Sequence, residues 1–206
     1  MAGTIDYYFT CASPFTYIGH KTLMEMAARN GAAVQLKPFN MMGVWEVSGA
    51  VPPGQRPPVR QRYRLIELQR TADHRGVKLN PKPGNFPTDP TMADLCCAAL
   101  ILAGADAAGF LGRVGEALWA HDRQIADEAV LGELLEAEGH DAKKVLAAAK
   151  QEPAAALRER NTAEAIAADA VGAPAYVYGG EVFWGQDRIE LLEAMIASGR
   201  GAYTPD

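Results

Sequence analysis

The hydrophobic pattern of the chain begins and ends in the short period of strands and runs between them in the longer period of helices. Thr4–Thr10 (TIDYYFT) is rich in β-branched and aromatic residues and stops at Cys11-Ala12-Ser13-Pro14, which predicts a strand. From Pro14 onward Tyr17, Ile18, Leu23, Met24, Met26 and Ala27 recur near helical spacing up to Asn30-Gly31, a natural helix stop. Val34 and Leu36 then alternate in a short run closed by Pro38. The first forty residues therefore read β-α-β, with the two strands parallel.

Asn40–Pro58 is rich in Gly and Pro, too long and too punctuated for one tight turn, and reads as a transition between subdomains at which an insert begins. Helical patterns follow at Arg60–Gly76, Thr91–Ala103, Ala107–Trp119, Ala129–Ala137, Asp141–Lys150 and Pro153–Asp169. No strand signal of any strength lies between Asn40 and Val171. The pattern then reverses: APAYVYGGEVFWG places two runs of β-formers around Gly179-Gly180, a hairpin signature, and DRIELLEAMIASG predicts a closing helix stopped by Gly199. A β-α-β start and a β-β-α finish enclose a long helical stretch. The expected fold is α/β: a thioredoxin-like domain of residues 1–40 and 168–206, interrupted by an all-helical insertion domain, 41–167.

Composition narrows the function classes. Of 206 residues 49% are hydrophobic and 22% charged, and the formal charge is −5, so the chain can bury a core and lacks the basic footprint of a nucleic-acid or anionic-membrane binder. A small-molecule substrate fits better. The N-terminal stretch lacks the basic region of a secretory signal, and no apolar run approaches the roughly 18 residues of a membrane span, so the cytoplasm is the expected compartment. Cys11, Cys96 and Cys97 form no CxxC and have no His at ligand spacing, which excludes a disulfide framework or zinc site; Cys96 and Cys97 read as small hydrophobes on a buried helix face. His20, His74, His121 and His140 pair at no ligand or triad spacing. No metal is expected.

Chemistry concentrates at the joints between elements. Ser13-Pro14 stands where the first strand meets the first helix, Ser at the N-cap and Pro at the first helical position. Its plain reading is a good cap. A thioredoxin-like layout also aims the positive end of that helix at whatever lies above, where a sulfur anion is stabilised. Redox members of the architecture carry CxxC there. Here Ser13-Pro14-Phe15-Thr16 places hydroxyls at both cysteine positions, and Cys11 sits too early to replace them, so dithiol exchange is excluded and a hydroxyl is left to donate to a thiolate brought by a partner.

Ala173-Pro174 precedes the hairpin at the place where this layout favours a cis-proline facing the active helix, although an average X-Pro bond is cis in only about 5–6% of cases. The Ala173 N–H and C=O would then pair with a bound peptide in strand fashion. Asp187 and Glu190 form a capping-box pattern at the start of the closing helix. Alternatively, Gln186 and Asp187 hold the two charged ends of a γ-glutamyl group beside that helix terminus. Lys37, Arg56 and Lys82 are further candidate carboxylate partners.

The segments SPFTY, KPFNMMGV and VGAPAYVYGGEVFWGQDRIELLE, in this order and over nearly the whole chain, resemble the 2-hydroxychromene-2-carboxylate isomerases, relatives of kappa-class glutathione transferases. The resemblance implies glutathione as cofactor, Ser13 as the hydrogen bond to its sulfur, Ala173 and Pro174 at the backbone-pairing position, and Gln186 and Asp187 at the γ-glutamyl end. It also implies a homodimer, and an isomerisation in which the thiolate adds to a conjugated acid, allows rotation and leaves. Phe15, Phe39, Trp45 and Phe86 are candidates for the wall facing a planar substrate. Two departures stand out. Thr10-Cys11-Ala12 precedes the serine where members often have an acid and an aromatic, and Ala50 stands where many carry Asn before the Pro-Pro pair, so the holder of the glycine end stays open. A kappa-like transferase or glutathione-dependent reductase, and a non-catalytic glutathione or small-acid binding protein, are the alternatives.

Overall fold

A computed structural model describes residues 3–205. Strand β1 (Thr4–Phe9) lies inside a four-stranded sheet of order β2-β1-β3-β4, with β2 at Ala33–Pro38, β3 at Ala175–Tyr178 and β4 at Glu181–Trp184. β1 and β2 are parallel, Thr4 opposite Ala33 through Phe9 opposite Pro38, and are joined by helix α1 (Pro14–Arg29). β3 pairs antiparallel with β1, Tyr7 opposite Tyr176, and turns into β4 through Gly179 and Gly180. Both glycines have positive φ, 59° and 90°, as a two-residue hairpin turn requires.

Alternation along β1 builds two interiors. Ile5, Tyr7 and Phe9 face one way and pack with Leu23 and Met26 of α1. That cluster also takes in Cys96 and Cys97 of α4 (Thr91–Leu102), Phe110 and Val114 of α5 (Ala108–Trp119), and Leu192 and Met195 of α9 (Ile189–Ser198). Tyr8 faces the other way and joins Phe39, Val44 of α2 (Met41–Ser48) and Ala165 of α8 (Glu152–Ala167). Each of the two apolar interiors thus runs from the sheet into the intervening helices, because each sheet face must be covered and helices from the middle of the chain help to cover both.

The remaining helices are α3 (Pro58–Arg75), α6 (Glu128–Ala137) and α7 (Ala142–Ala149), each ending within two residues of the bounds expected from periodicity. α2 is the exception, since it falls within Asn40–Pro58, which reads from sequence as a transition between subdomains. The Asn40 side chain caps α2 by accepting from Met42 N–H at 3.2 Å, and Gly49 ends it in the left-handed region at φ 72°. Both signals stand in the sequence, but only eight residues lie between them and Gly43 interrupts the pattern. Among the described residues no helix is long and apolar enough to cross a membrane.

Candidate functional site

Ser13 is buried at the N-terminus of α1, and its hydroxyl works in two directions. Oγ accepts from Thr16 N–H at 3.2 Å, the expected N-cap, and donates to the Ala173 carbonyl at 3.3 Å. The Ala173–Pro174 peptide is cis, so the proline loop and the tip of α1 meet at this serine. Pro14 has no N–H, Thr16 gives its own to Ser13 Oγ and Tyr17 gives its own to the Ser13 carbonyl at 3.1 Å. Among the described residues this leaves the Phe15 N–H as the unpaired amide of the first turn, at the positive end of the helix dipole. The Thr16 hydroxyl is buried without a partner, so the second hydroxyl of the Ser13-Pro14-Phe15-Thr16 turn points into the interior.

Beneath this tip lies a carboxylate not singled out from sequence. Asp94 of α4 is fully buried, accepts from Cys11 N–H at 2.8 Å and from the Thr10 hydroxyl at 3.1 Å, and faces Arg158 of α8 at 3.3 Å. It fastens the β1–α1 loop to two helices of the central segment. Burial pushes its pKa up to about 6, against the opposing pull of Arg158 and the hydrogen bonds. Cys11 is sealed in next to it, 3.8 Å from the Cys97 sulfur, and burial, followed by Cys97 and Asp94, holds its thiol well above the ordinary range. It offers no nucleophile.

A cavity of about 720 Å³ opens above Ser13. Ser13, Phe15, Trp45, Phe86, Ala173, Gln186 and Asp187 line it together, although they come from widely separated segments. Pro174 stands behind Ala173 and does not line it. Phe39 corrects the expectation of a wall residue: it is fully buried on the far side of the sheet, edge-on to Tyr8 with ring centroids 6.3 Å apart. Its place directly after β2 turns it into the interior, where it serves as core. Lys37 and Lys82 also lie outside the cavity, Lys37 held by Asp6 and Glu164, whereas Arg56 lines it.

The expected capping box does not form. Gln186–Arg188 makes a 3₁₀ turn, α9 begins at Ile189, and the Asp187 carboxylate pairs with Arg188 at 2.8 Å. Glu190 is drawn instead to Arg75 at the end of α3, and the same arginine donates from Nε to Gln186 Oε1 at 2.9 Å and from an NH2 group to the Gln186 carbonyl at 2.7 Å. Gln186 is thus fixed in place, and its amide NH2 makes no hydrogen bond among the described residues. Arg75 was not anticipated, because its partners arrive from the far end of the chain.

The third unanticipated feature is a cationic wall. Arg60 and Arg64 of α3 line the cavity beside Arg56, and none of the three forms an ion pair among the described residues. Glu67, the acid of the same helix face, is engaged by Arg70. Arg56 lies over the Trp45 ring at 5.9 Å and donates to the Val51 carbonyl, and Arg64 lies over the Phe86 ring at 5.5 Å. Burial lowers the pKa of both Arg56 and Arg64, and neighbouring arginines lower them further. Unpaired cations over aromatic rings in a partly dry cleft are arranged for an anion. Neutral donors at one end, a peptide edge in the middle and cations opposite suit a ligand with carboxylates and a soft anionic centre.

Comparison with known proteins agrees with this layout. A 2-hydroxychromene-2-carboxylate isomerase from Sphingobium xenophagum is 27% identical over 198 residues, covering 95% of this chain and 99% of the relative. A glutathione S-transferase kappa 1 from Caenorhabditis elegans is 26% identical, covering 93% and 90%. The crystal structure of a 2-hydroxychromene-2-carboxylate isomerase superposes with a TM-score of 0.82 at 24% identity, covering 95% of each chain, which shows a shared fold. The DSBA-like thioredoxin domain matches residues 4–197, both arms of the sheet and every helix between them, and the chain belongs to that family.

Proposed function

We propose that the protein is a glutathione-dependent isomerase acting on fused-aromatic hydroxy acids of the 2-hydroxychromene-2-carboxylate type, interconverting them with their ring-opened trans isomers. The observation that carries this reading is the Ser13 hydroxyl at the tip of α1, facing a cavity large enough for a tripeptide and a bicyclic acid together. The names of the relatives and the absence of a CxxC support it.

The residues present fit glutathione: Ala173 offers a peptide edge, Gln186 a free amide, Asp187 an exposed carboxylate for an ammonium, and Arg56 and Arg60 a place for a terminal carboxylate. Bound glutathione supplies a thiolate able to add reversibly to a conjugated double bond, making it single and free to rotate until the sulfur leaves. Ser13 Oγ–H turns from the Ala173 carbonyl toward the sulfur, and the Phe15 N–H and helix dipole favour its anionic form. Phe15 and Trp45 keep water from the reacting face and flank a planar ring. Nothing in the cycle is oxidised or consumed.

The test is titration of the glutathione-loaded protein, following thiolate absorbance against pH, with turnover of 2-hydroxychromene-2-carboxylate measured alongside. The bound thiol should titrate below the roughly 8.5 of a free thiol. Ser13→Ala should return it there and lower turnover at least about 100-fold, as loss of a stabilising donor does, while costing only about 1 kcal/mol of stability as a lost cap. Full turnover in the mutant overturns the role of Ser13. Steady consumption of glutathione would favour the transferase instead.

A further inference from the structure

The arginines of the cavity exceed the needs of glutathione alone. Its two carboxylates sit at opposite ends of a short peptide, and the γ-glutamyl end is assigned above to Gln186 and Asp187. Arg75 marks that end of α3. Glutathione thus leaves one terminal carboxylate for the three arginines of the opposite wall, Arg56, Arg60 and Arg64. Arg56, tied to the Val51 carbonyl, and Arg60, exposed at the rim, are available for the glycine carboxylate.

Arg64 is half-buried like Arg56, but among the described residues it has neither a hydrogen bond nor a carboxylate partner, and it packs over Phe86, an aromatic residue of the cavity wall. A half-dry cation without a counter-ion beside an aromatic face is a complementary surface for a flat ring bearing a negative charge. A neutral aromatic would cover the guanidinium and leave it unpaired, which is costly.

We propose that Arg64 is a specificity-determining residue, one that pairs with the carboxylate of the aromatic co-substrate while its ring lies along Phe86. This rests on the isomerase reading for the identity of the co-substrate, but the charge preference is testable without turnover. The probes are 2-naphthoate and its neutral analogue 2-naphthamide, titrated calorimetrically into glutathione-loaded wild-type, Arg64→Met and Arg64→Lys proteins, with glutathione affinity measured separately for each. The wild type should bind naphthoate at least about tenfold more tightly than naphthamide, a preference that weakens with added salt. Arg64→Met should abolish the preference and leave naphthamide and glutathione affinities within about twofold, and Arg64→Lys should keep part of it, as a point charge without the planar fork.

Equal binding of the two probes by the wild type overturns the proposal, as does an unchanged preference in Arg64→Met. A parallel loss of glutathione affinity also overturns it, by assigning Arg64 to glutathione. If Arg64→Met does not fold, a partial loss of the preference in Arg64→Lys without loss of naphthamide binding supports the proposal and full retention of it at high salt overturns it. A wild type that prefers naphthoate but does not turn over 2-hydroxychromene-2-carboxylate refutes the isomerase reading and leaves the role of Arg64 standing.

Discussion

Lys37 and Arg64 are both cations removed from bulk water, and they differ in what faces them. Lys37 lies on the outer sheet face with Glu164 at 2.6 Å and Asp6 at 3.1 Å. Burial works against its charge, and the hydrogen bonds it donates to the two carboxylates outweigh that and raise its pKa. Arg158, deeper in the molecule, is likewise set against a carboxylate, Asp94, although its Nε is buried without a partner. Arg64 faces Phe86 and other arginines, and both burial and Arg56 lower its pKa. The folded chain supplies the first kind of cation with a carboxylate of its own. It holds the second kind unsatisfied, at the wall of the one large cavity described here. A buried charge paired within the chain is part of the architecture, and a buried charge left unpaired beside a cleft is a binding determinant.

The largest effect should come from breaking a satisfied pair. Arg158→Met leaves the Asp94 carboxylate in a dry pocket and should cost about 3–5 kcal/mol in urea unfolding. A loss below about 1 kcal/mol would show that Asp94 does not depend on its arginine. The next concerns Asp94 itself, whose folded pKa of about 6 lies above its ordinary 3.8. A carboxyl raised in this way stabilises most when protonated, below its ordinary value, and that contribution falls as pH rises through the folded value. The stability gap between wild type and Asp94→Asn should therefore narrow by about 3 kcal/mol from pH 3.5 to pH 7. A gap independent of pH would mean that Asp94 titrates as an exposed acid.

A smaller effect is expected where α1 presses on the ligand-facing turn. A methyl group at Gly19 would lie 2.6 Å from Gln186 Cβ, with the Gln186 backbone Cα at 3.4 Å. Gly19→Ala should lower stability by about 1–3 kcal/mol through overpacking, and weaken glutathione binding by displacing Gln186. Calorimetry and thermal melts together would separate the two. The smallest change sharpens the contrast most: Arg64→Met should alter stability by less than about 0.5 kcal/mol, since no charged or hydrogen-bonded partner is lost and Met can still pack on Phe86. A loss like that of Arg158→Met would erase the distinction between the two kinds of cation.

Much of the fold was legible because its signals are local. The β-branched run at Thr4–Phe9, the Ser13-Pro14 cap, the Gly179-Gly180 turn and the Gly199 stop each act on neighbouring backbone. Ser13, Phe15, Trp45, Phe86, Ala173, Gln186 and Asp187 were also within reach, through the layout and the family resemblance, and the structure gathers them around one cavity. Phe39 was misplaced because an aromatic after a strand has the same sequence appearance whether it faces a cleft or the core. Arg60 and Arg64 were passed over because cations on an amphipathic helix normally lie in solvent, and Asp94 because an acid in the first turn of a helix is ordinary there.

The sequence by itself determined the order of the strands and of the helices other than α2, the serine in place of cysteine at the tip of α1 and the absence of a dithiol, because propensity, capping and turn chemistry depend on adjacent residues. Only the tertiary structure decided that Asp94 is dry, that Arg75 fixes Gln186 and that Arg64 has no counter-ion. Desolvation and charge pairing depend on what the opposite wall brings, and here that wall is built from residues far away in the chain.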